Sequence, residues 1–286
     1  MIRVASLRTG LVMLALLALR CSDPQTLPGY TLQVDSLERR YNLFVPLDTP
    51  STAMPLVVAF HGGGMAGEMF PQQTRFEALA ESEGVLLAFP QGLQVGNNEG
   101  EWQLNTRPDA RHDIDFVIAM IEDIGERHSV DPNRIYAVGY SLGSMFTYEV
   151  ACQMSDRFAA ITSFAGTMPR SPAACIPERH APIMHIHGDS DGIISYGDTW
   201  GWKSWDEVGT MMDIPSLINF WRDKYTCQEE SRSESDSSEH IVHRDCEQDA
   251  LVEHHRIKGG DHGWPEDING ESTHRVMWSF LNRFSL

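Results

Sequence analysis

The strongest chemical signal in the chain is a G-x-S-x-G sequence at residues 139–143, centred on Ser141. It follows an apolar, strand-like run and precedes a helix-like run, the context in which this sequence forms a sharp turn that exposes its serine. Its glycines allow close approach of the neighbouring elements. The start of a helix also presents backbone N–H groups that favour negative charge. Ser141 is therefore predicted to be a nucleophile, with a plain helix N-cap as the alternative interpretation.

A glycine run, His-Gly-Gly-Gly at residues 61–64, directly follows another apolar run. Acyl transfer through a serine needs two backbone N–H groups aimed where the carbonyl oxygen becomes negative. One comes from the residue after the nucleophile and one from an early loop of this kind. Leu142 is predicted to supply the first amide and Gly63 the second, with Gly62 as the alternative. A plain glycine turn at a strand end is the other interpretation of the run.

The acid of such a triad follows the nucleophile along the chain and lies after a later strand. The segment PIMHIHGDSDG at residues 182–192 offers Asp189 and Asp191. Asp191 is predicted to be the acid, because two further residues beyond the strand end give the loop room to turn the carboxylate towards a histidine. Asp189 remains the alternative and otherwise caps the turn.

The base comes last, and His262 in GGDHGWP fits because it follows the final strand pattern in a tight loop. His254 and His255 are neighbours within that strand pattern, so they point to opposite faces and are predicted to be structural. His185 and His187 alternate onto one face, which also suits a metal pair. Since no third ligand lies at a sensible spacing from them, no metal site is predicted.

Together these residues predict acyl transfer to water. His262 takes the proton of Ser141, Asp191 orients the imidazole, and the amides of Gly63 and Leu142 hold the oxyanion. This chemistry requires no metal or organic cofactor, and none is predicted.

Alternating strand-like and helix-like segments must position these groups. Nearly continuous apolar, β-branched runs are typical of strands buried on both faces of a parallel sheet. Such runs occupy residues 55–63, 85–92, 134–140 and 182–188, with a last strand at about 250–257. Helical patterns begin at Phe70 and Arg111, and a last one covers residues 272–284.

The alternation predicts an α/β fold with a doubly wound, mostly parallel sheet and helices on both faces. A strand pair at residues 30–48 precedes the first buried strand. The Ser/Glu/Asp-rich stretch between Cys227 and Cys246 has no apolar period, so it is expected to be a solvated loop or hairpin tip.

Composition narrows the classes of partner. The chain has 286 residues, 42% hydrophobic and 22% charged, which suits one globular catalytic domain. Its formal net charge is -18 and no Lys/Arg cluster interrupts it, which argues against binding to nucleic acid or to an anionic membrane surface. Neutral or weakly charged substrates fit better.

The N-terminal sequence indicates export. Two arginines precede a short apolar run, LVMLALLAL, that is too brief for a spanning helix, so residues 1–20 are predicted to be a signal peptide. Residues 21–29 are then a short linker and residues 30–286 the catalytic domain. Cys21 as the acylated first residue of a lipoprotein is the minority hypothesis, because Arg20 stands where that position normally needs a small residue.

An exported chain sits where disulfides persist. Cysteines 152, 175, 227 and 246 form an even set, for which three connectivities exist. Pairing of Cys152 with Cys175 and of Cys227 with Cys246 is favoured, because each pair brackets a surface excursion between core elements.

Taken in order, the motifs resemble a known group of enzymes. They are HGGG, FPQG at residues 89–92, D-x-D-F-V at 113–117, RIYAVGYSLGSMFTYEVAC at 134–152, H-G-x-x-D at 187–191 and GGDHGWP at 259–265. This set is similar to the secreted polyhydroxybutyrate depolymerase and feruloyl esterase-like carboxylesterases, close to carbohydrate esterase family 1. The resemblance covers roughly Tyr30 to the C-terminus.

The resemblance implies an α/β-hydrolase fold with the triad Ser141, Asp191 and His262, and disulfides among the four later cysteines. The sequence departs from the family in two places. HGGG replaces a form that often contains cysteine, and residues 195–213 are unusually rich in tryptophan. These departures leave the esterase expectation intact and leave the substrate open.

The expected substrates are feruloyl or acetyl esters of plant or algal polysaccharides, or short hydroxyalkanoate esters. Trp264 and Trp202 are predicted to contact them, because aromatic walls suit a phenolic group or a sugar face; core packing is the alternative for each. The alternative functions are a polyhydroxybutyrate depolymerase, a prolyl-type serine peptidase, and a non-enzymatic binding protein on the same scaffold.

Overall fold

The computed structural model describes residues 27–64, 70, 75–93, 102–107, 109, 111–201 and 208–286. The signal peptide predicted at residues 1–20, the acylation hypothesis for Cys21 and the predicted substrate contact of Trp202 lie outside these ranges. They stay predictions.

Strands and helices alternate along the described chain between residues 54 and 164, and further strands predominate after that. The strands are β1 (Gly29–Val34), β2 (Leu37–Phe44), β3 (Met54–Phe60), β4 (Leu86–Pro90), β5 (Val130–Tyr140), β6 (Ala160–Phe164), β7 (Ile183–Gly188), β8 (Trp200–Gly201), β9 (Thr210–Met211), β10 (Glu229–Glu234), β11 (Ser238–Arg244), β12 (Val252–Ile257), β13 (Asp267–Ile268) and β14 (Glu271–Ser272). The helices are α1 (Phe76–Glu83), α2 (His112–Arg127), α3 (Leu142–Gln153), α4 (Ile214–Lys224) and α5 (Thr273–Leu281).

Ten strands form one sheet in the order β1-β2-β4-β3-β5-β6-β7-β12-β11-β10. The six central strands, β4 to β12 in that order, are parallel, and antiparallel pairs extend the sheet at both edges. Parallel neighbours place the carboxyl ends of their strands at one edge of the sheet, where α/β folds carry their sites.

Successive side chains of the central strands point to opposite faces of the sheet, which explains why a layer of helices covers each face. In β3, Leu56, Val58 and Phe60 pack in the apolar cluster that contains α2, α3 and α4, whereas Val57 and Ala59 pack with α1 and α5. All five side chains are buried. Successive residues of a strand point to opposite faces, so an uninterrupted apolar run requires helices on both faces. The predicted doubly wound α/β fold is therefore confirmed.

The polar stretch between Cys227 and Cys246 was expected to be a solvated loop or a hairpin tip, and the structure shows more regular pairing than either. It forms the hairpin β10–β11, and both strands belong to the main sheet. β11 pairs with β12 from Ser238 to His243 and buries Ile241, Val242 and His243. Backbone pairing with β12 thus decides the structure here, although the composition of the segment has no apolar period.

Two disulfides tie surface segments to the core. Cys152 at the end of α3 bonds Cys175 in the segment before β7, and Cys227 after α4 bonds Cys246 after β11. This is the pairing that the sequence favoured. None of the helices within the described ranges is both long and apolar enough to span a bilayer.

Replacing Cys227 and Cys246 together by serine is expected to lower the free energy of unfolding by about 3 kcal/mol. The bond closes a sequence separation of 19 residues, so its loss restores conformational freedom to the unfolded chain. Urea unfolding of the purified protein measures this change. The double serine variant of Cys152 and Cys175 is the companion, and it should lose more stability because both of its cysteines are buried. Unchanged stability in both variants would contradict a structural role for the two bonds.

Candidate active site

Ser141 occupies a strained turn between β5 and α3. Its backbone has φ 54° and ψ -118°, an unfavourable conformation for a residue with a side chain. The turn is held because the amide of Ser141 donates to the carbonyl of Phe164 at 2.9 Å. A Cβ at Gly143 would lie 2.1 Å from the carbonyl oxygen of Phe60, so only glycine permits α3 to start against β3. The turn lifts the Ser141 hydroxyl to the carboxyl edge of the sheet.

The loops that carry Asp191 and His262 follow two neighbouring strands. β7 and β12 pair in parallel, so the loops after them emerge side by side. A Cβ at Gly188 would lie 2.3 Å from the carbonyl oxygen of Gly260, which shows how closely the two loops pack. The hydroxyl of Tyr140 donates to the carbonyl of His262 at 3.0 Å and links the histidine loop to the serine turn.

The structure brings the three predicted triad residues into one hydrogen-bonded chain. His262 Nε2 lies 2.8 Å from Ser141 Oγ, and His262 Nδ1 lies 2.7 Å from Asp191 Oδ2. An ionised carboxylate only accepts hydrogen bonds, so Nδ1 donates to Asp191 and Nε2 is free to accept from the serine hydroxyl. This is the tautomer that a general base for Ser141 needs.

Asp191 is buried, and all its contacts favour the ionised form. Oδ1 accepts from the amides of Ile193 and Ile194, each at 2.8 Å. Oδ2 accepts from His262 and also lies 3.3 Å from His187 Nε2. Burial raises the pKa of Asp191, but hydrogen bonds from His187, His262 and the two amides outweigh it and hold the pKa well below its usual range. A fixed negative charge therefore faces the imidazole.

Asp189, the alternative acid, points elsewhere. Its Oδ1 accepts from the amide of Gly259 at 2.7 Å, and its Oδ2 contacts Arg256 Nη2 at 3.0 Å. Burial raises the pKa of Asp189, but the bonds from Gly259, Arg256 and Ser190 lower it below its ordinary value overall. Asp189 thus holds the loop after β7 against the end of β12 and makes no hydrogen bond to His262.

The predicted oxyanion-hole residues flank the serine. Leu142 is the first residue of α3, where backbone N–H groups have no carbonyl acceptor within the helix. A Cβ at Gly63 would come within 3.4 Å of the Leu142 side chain, and one at Gly62 within 3.4 Å of Ser141 Cβ. Both glycines therefore adjoin the serine turn. The choice between their amides stays as predicted from the sequence, with Gly63 first.

His61 is a site residue that the sequence analysis left without a role of its own. Its Nδ1 donates to the carbonyl of Gly62 at 2.8 Å, and its Nε2 accepts from the amide of Gly92 at 3.1 Å. The indole of Trp102 donates to the carbonyl of His61 at 2.9 Å. Burial lowers the pKa of His61 to about 4, although the bond to Gly62 acts the other way. This neutral histidine fixes the glycine loop beside Ser141, and the HGGG motif was the signal that could have shown it.

Comparison with known proteins places the chain in a family. The family described as Esterase PHB depolymerase matches residues 39–194, more than half of the chain. The chain belongs to this family. The match spans β2 to the loop of Asp191 and so includes the glycine loop and the serine turn, and it confirms the resemblance seen in the sequence motifs.

Two curated relatives of this chain are esterases by name. Feruloyl esterase B of Piromyces equi is 24% identical over 241 residues, which cover 83% of this chain and 44% of that protein. The bifunctional acetylxylan esterase/xylanase XynS20E of Neocallimastix patriciarum is 23% identical over 243 residues, 81% of this chain and 31% of that protein. The chain spans less than half the length of these two curated relatives.

A solved structure agrees on the fold. The acetyl xylan esterase from Aspergillus awamori superposes with a TM-score of 0.66 at 14% identity, over 89% of this chain and 99% of that chain. At this identity the likeness concerns the fold alone, and that fold is the α/β-hydrolase fold.

Trp264 lies two residues after His262 in the chain. Its indole is half-buried and packs edge-on against the rings of Phe70, Phe164 and Tyr140. The indole also borders a pocket beside the loop of Gly260. Trp264 therefore packs in the core, which was the alternative interpretation, and it also lies close to His262 in the chain. Its contact with substrate stays a prediction.

A buried chain of hydrogen bonds runs from His187, which lies next to Asp191, through His185 to Tyr148. His187 Nε2 donates to the carbonyl of Ile194 at 2.9 Å, so its Nδ1 accepts from His185 Nε2 at 3.1 Å. His185 Nδ1 then accepts from the hydroxyl of Tyr148 at 2.7 Å. Each partner fixes the tautomer of the next. His185 and His187 are therefore structural groups that support the loop of Asp191.

His254 is fixed in the same way. Its Nδ1 donates to the carbonyl of His185 at 3.1 Å, and its Nε2 accepts from the hydroxyl of Tyr196 at 3.0 Å. Burial lowers the pKa of His254 to about 3, and burial places the pKa of His185 well below its usual range. The predicted structural role of His254 follows from these contacts.

Because these histidines have depressed pKa values, we expect the free energy of unfolding to fall as the pH is lowered. A histidine whose folded pKa is depressed stays neutral in the native state while the unfolded chain takes up a proton below about pH 6.5. The unfolded state then binds more protons, so stability falls as pH drops from about 6.5 to about 4. Each such histidine contributes up to about 1.4 kcal/mol per pH unit, and His61, His185 and His254 all act in this sense.

Urea unfolding between pH 8 and pH 4.5 measures this effect. Glu149 acts in the opposite sense, because burial raises its pKa to about 7 even though hydrogen bonds from Asn105 and Gln153 lower it. The native state binds the extra proton there, so Glu149→Gln should steepen the fall in stability below pH 6.5. A flat stability profile between pH 6.5 and pH 5 in both proteins would contradict the neutral state of the buried histidines.

Proposed function

We propose that this protein hydrolyses carboxylic esters through an acyl-enzyme on Ser141. The chain of hydrogen bonds from Ser141 Oγ through His262 to Asp191 Oδ2 carries the proposal. His262 removes the hydroxyl proton as Oγ attacks the ester carbonyl, and the carbonyl oxygen takes the negative charge. The amides of Gly63 and Leu142 stabilise that charge. His262 then gives the proton to the departing alcohol, and the acyl-enzyme remains.

Water completes the cycle by the same route. His262 takes a proton from water, the hydroxide attacks the acyl carbonyl, and the bond to Ser141 Oγ breaks as the proton returns to that oxygen. Asp191 stabilises the imidazolium in both halves and keeps its own charge. Each step uses only side chains and amides of this chain.

For the substrate, we propose feruloyl or acetyl esters of plant or algal polysaccharides, with short hydroxyalkanoate esters as the second candidate. The names of the two relatives support the first, and the family description supports the second. The net charge of -18 supports neutral polysaccharides over anionic ones, because an anionic polymer is repelled at low salt. The half-buried Trp264 supplies an aromatic surface for a phenolic ring or a sugar face.

We also propose that the protein acts outside the reducing cytosol. The two disulfides support this, because such bonds persist in oxidising compartments.

A substrate panel tests the proposal. The purified protein is assayed on methyl ferulate, acetylated xylan, p-nitrophenyl acetate and hydroxybutyrate oligomers, with a prolyl peptide chromogen as the non-ester control. We expect hydrolysis of p-nitrophenyl acetate and a higher kcat/KM on a feruloyl or acetylated sugar ester. Cleavage of the peptide without any ester hydrolysis would overturn the proposed function, and a preference for the oligomers would select the second substrate class.

A further inference from the structure

Three potential metal ligands lie together on two strands near one edge of the sheet, outside the triad. β11 and β12 are antiparallel, and His240 lies directly opposite His255 in their register. Glu253 precedes His255 by two residues, so both side chains lie on the same face of β12. The E-x-H spacing on one strand and a histidine on its neighbour thus place three side chains on one face.

The ligand atoms of these side chains converge. His240 Nε2 lies 2.9 Å and His255 Nε2 lies 3.3 Å from the same oxygen, Glu253 Oε1. One ligand atom from each of the three residues lies within 4.8 Å of the others. In a tetrahedral zinc site with ligands about 2.0–2.1 Å from the metal, ligand atoms are about 3.3 Å apart. The two imidazole rings are stacked, with their centroids 4.1 Å apart and their planes within 8° of parallel, so a common ion requires the partly exposed His240 ring to turn towards it.

We propose that His240, Glu253 and His255 form a divalent-metal site that binds Zn²⁺. Two imidazole nitrogens and one carboxylate oxygen are a donor set that zinc prefers. Glu253 and His255 are buried, whereas His240 is partly exposed, so an ion enters from the side of His240 and keeps water as its fourth ligand.

The protonation states permit binding without a change in net charge. In the arrangement described, both Nε2 atoms donate to Glu253 Oε1, and metal binding moves each proton to Nδ1 of its ring. Nδ1 of His255 is buried without a hydrogen-bond partner among the described residues, so the ring can change tautomer without breaking a contact there, but the proton moved to Nδ1 gains no acceptor and its burial weakens binding. The other carboxylate oxygen, Oε2, accepts from Arg283 at 2.7 Å and holds Glu253 in place.

The second histidine cluster of the sheet shows the contrast. In His185, His187 and His254 the ring nitrogens already have partners that fix their tautomers. A metal there would have to displace buried hydrogen bonds. At the β11–β12 site, an ion would replace the two hydrogen bonds from His240 and His255 to Glu253. Its two positive charges would then bind ligands from both strands.

Equilibrium dialysis of the full chain against ZnCl₂ tests the site, with bound metal measured by elemental analysis. His240→Gln is the test variant because the side chain is partly exposed, and circular dichroism in the absence of metal checks that it folds. His112→Gln is the matched control, since His112 is also exposed and lies 4.0 Å from a carboxylate oxygen of Asp35. The His262→Gln variant shows whether zinc binds at the triad instead of at the proposed site.

We expect one tightly bound Zn²⁺ in the wild-type chain and in the His112→Gln and His262→Gln variants. In His240→Gln, affinity should fall by about 100-fold or more, since loss of a ligand costs more than loss of a supporting contact. Zinc should also raise the apparent Tm of the wild type and not that of His240→Gln. Equal zinc binding by His240→Gln, binding lost only in His262→Gln, or no tight binding by the wild type would each overturn the proposal.

Discussion

Replacement of Ser141 by alanine is expected to lower kcat by about 10⁴-fold or more. The change removes Oγ, which lies 2.8 Å from His262 Nε2 and is placed to attack a carbonyl. The triad acts as a unit, so His262 and Asp191 retain little of the rate acceleration by themselves. Alanine has the same Cβ, and the turn at φ 54° is held by backbone contacts, so the fold should be unchanged.

Two measurements check this expectation. Steady-state hydrolysis of p-nitrophenyl acetate gives kcat, and mass spectrometry after treatment with a serine-directed phosphonate locates the label. Ser144→Ala is the matched control, because Ser144 is buried in the first turn of α3, close to Ser141 in the chain, and bonds Ser163 instead of the triad. The control should stay active and labelled at Ser141. A label on another serine, or full activity in Ser141→Ala, would contradict the assignment of the nucleophile.

Replacement of Asp191 by asparagine is expected to lower kcat by up to about 10⁴-fold with little change of structure. The amides of Ile193 and Ile194 both donate to Oδ1, so an asparagine must turn its carbonyl oxygen towards them. Its NH₂ group then faces His262 Nδ1 and donates to it. That contact favours the tautomer with the proton on Nε2, which cannot accept the proton of Ser141.

The companion variant Asp189→Asn separates the two aspartates. Asp189 contacts Gly259 and Arg256 instead of His262, so kcat should change by no more than a few-fold while stability falls modestly. Both variants are assayed on p-nitrophenyl acetate, and their Tm values are recorded. If Asp189→Asn is the inactive enzyme and Asp191→Asn remains active, the acid has been placed two residues too late.

Local sequence was enough to predict the parts of the site that local structure builds. The turn at Ser141 needs glycines at fixed positions between a strand and a helix, and these requirements are visible in residues 134–153 alone. The same holds for the glycine loop after β3 and for the central strands, whose uninterrupted apolar runs require helices on both faces.

Features that depend on distant partners could not be predicted in the same way. The choice between Asp189 and Asp191 is made by Gly259 and His262, which lie about seventy residues further along the chain. β6, with the sequence AITSF, was missed because Thr162 and Ser163 interrupt its apolar run, and burial between β5 and β7 makes it a strand. The helix α4 was likewise not predicted.

The sheet ends at one side in β10, and the composition of that strand has a consequence for association. All six residues of Glu229–Glu234 are exposed, and four of them are charged. An outermost strand offers unpaired backbone groups to any extended chain that comes near. Three glutamates and one arginine keep such a chain hydrated and repel a second copy of the same acidic strand. Residues that carry no chemistry therefore help to keep a ten-stranded sheet from growing into fibrils.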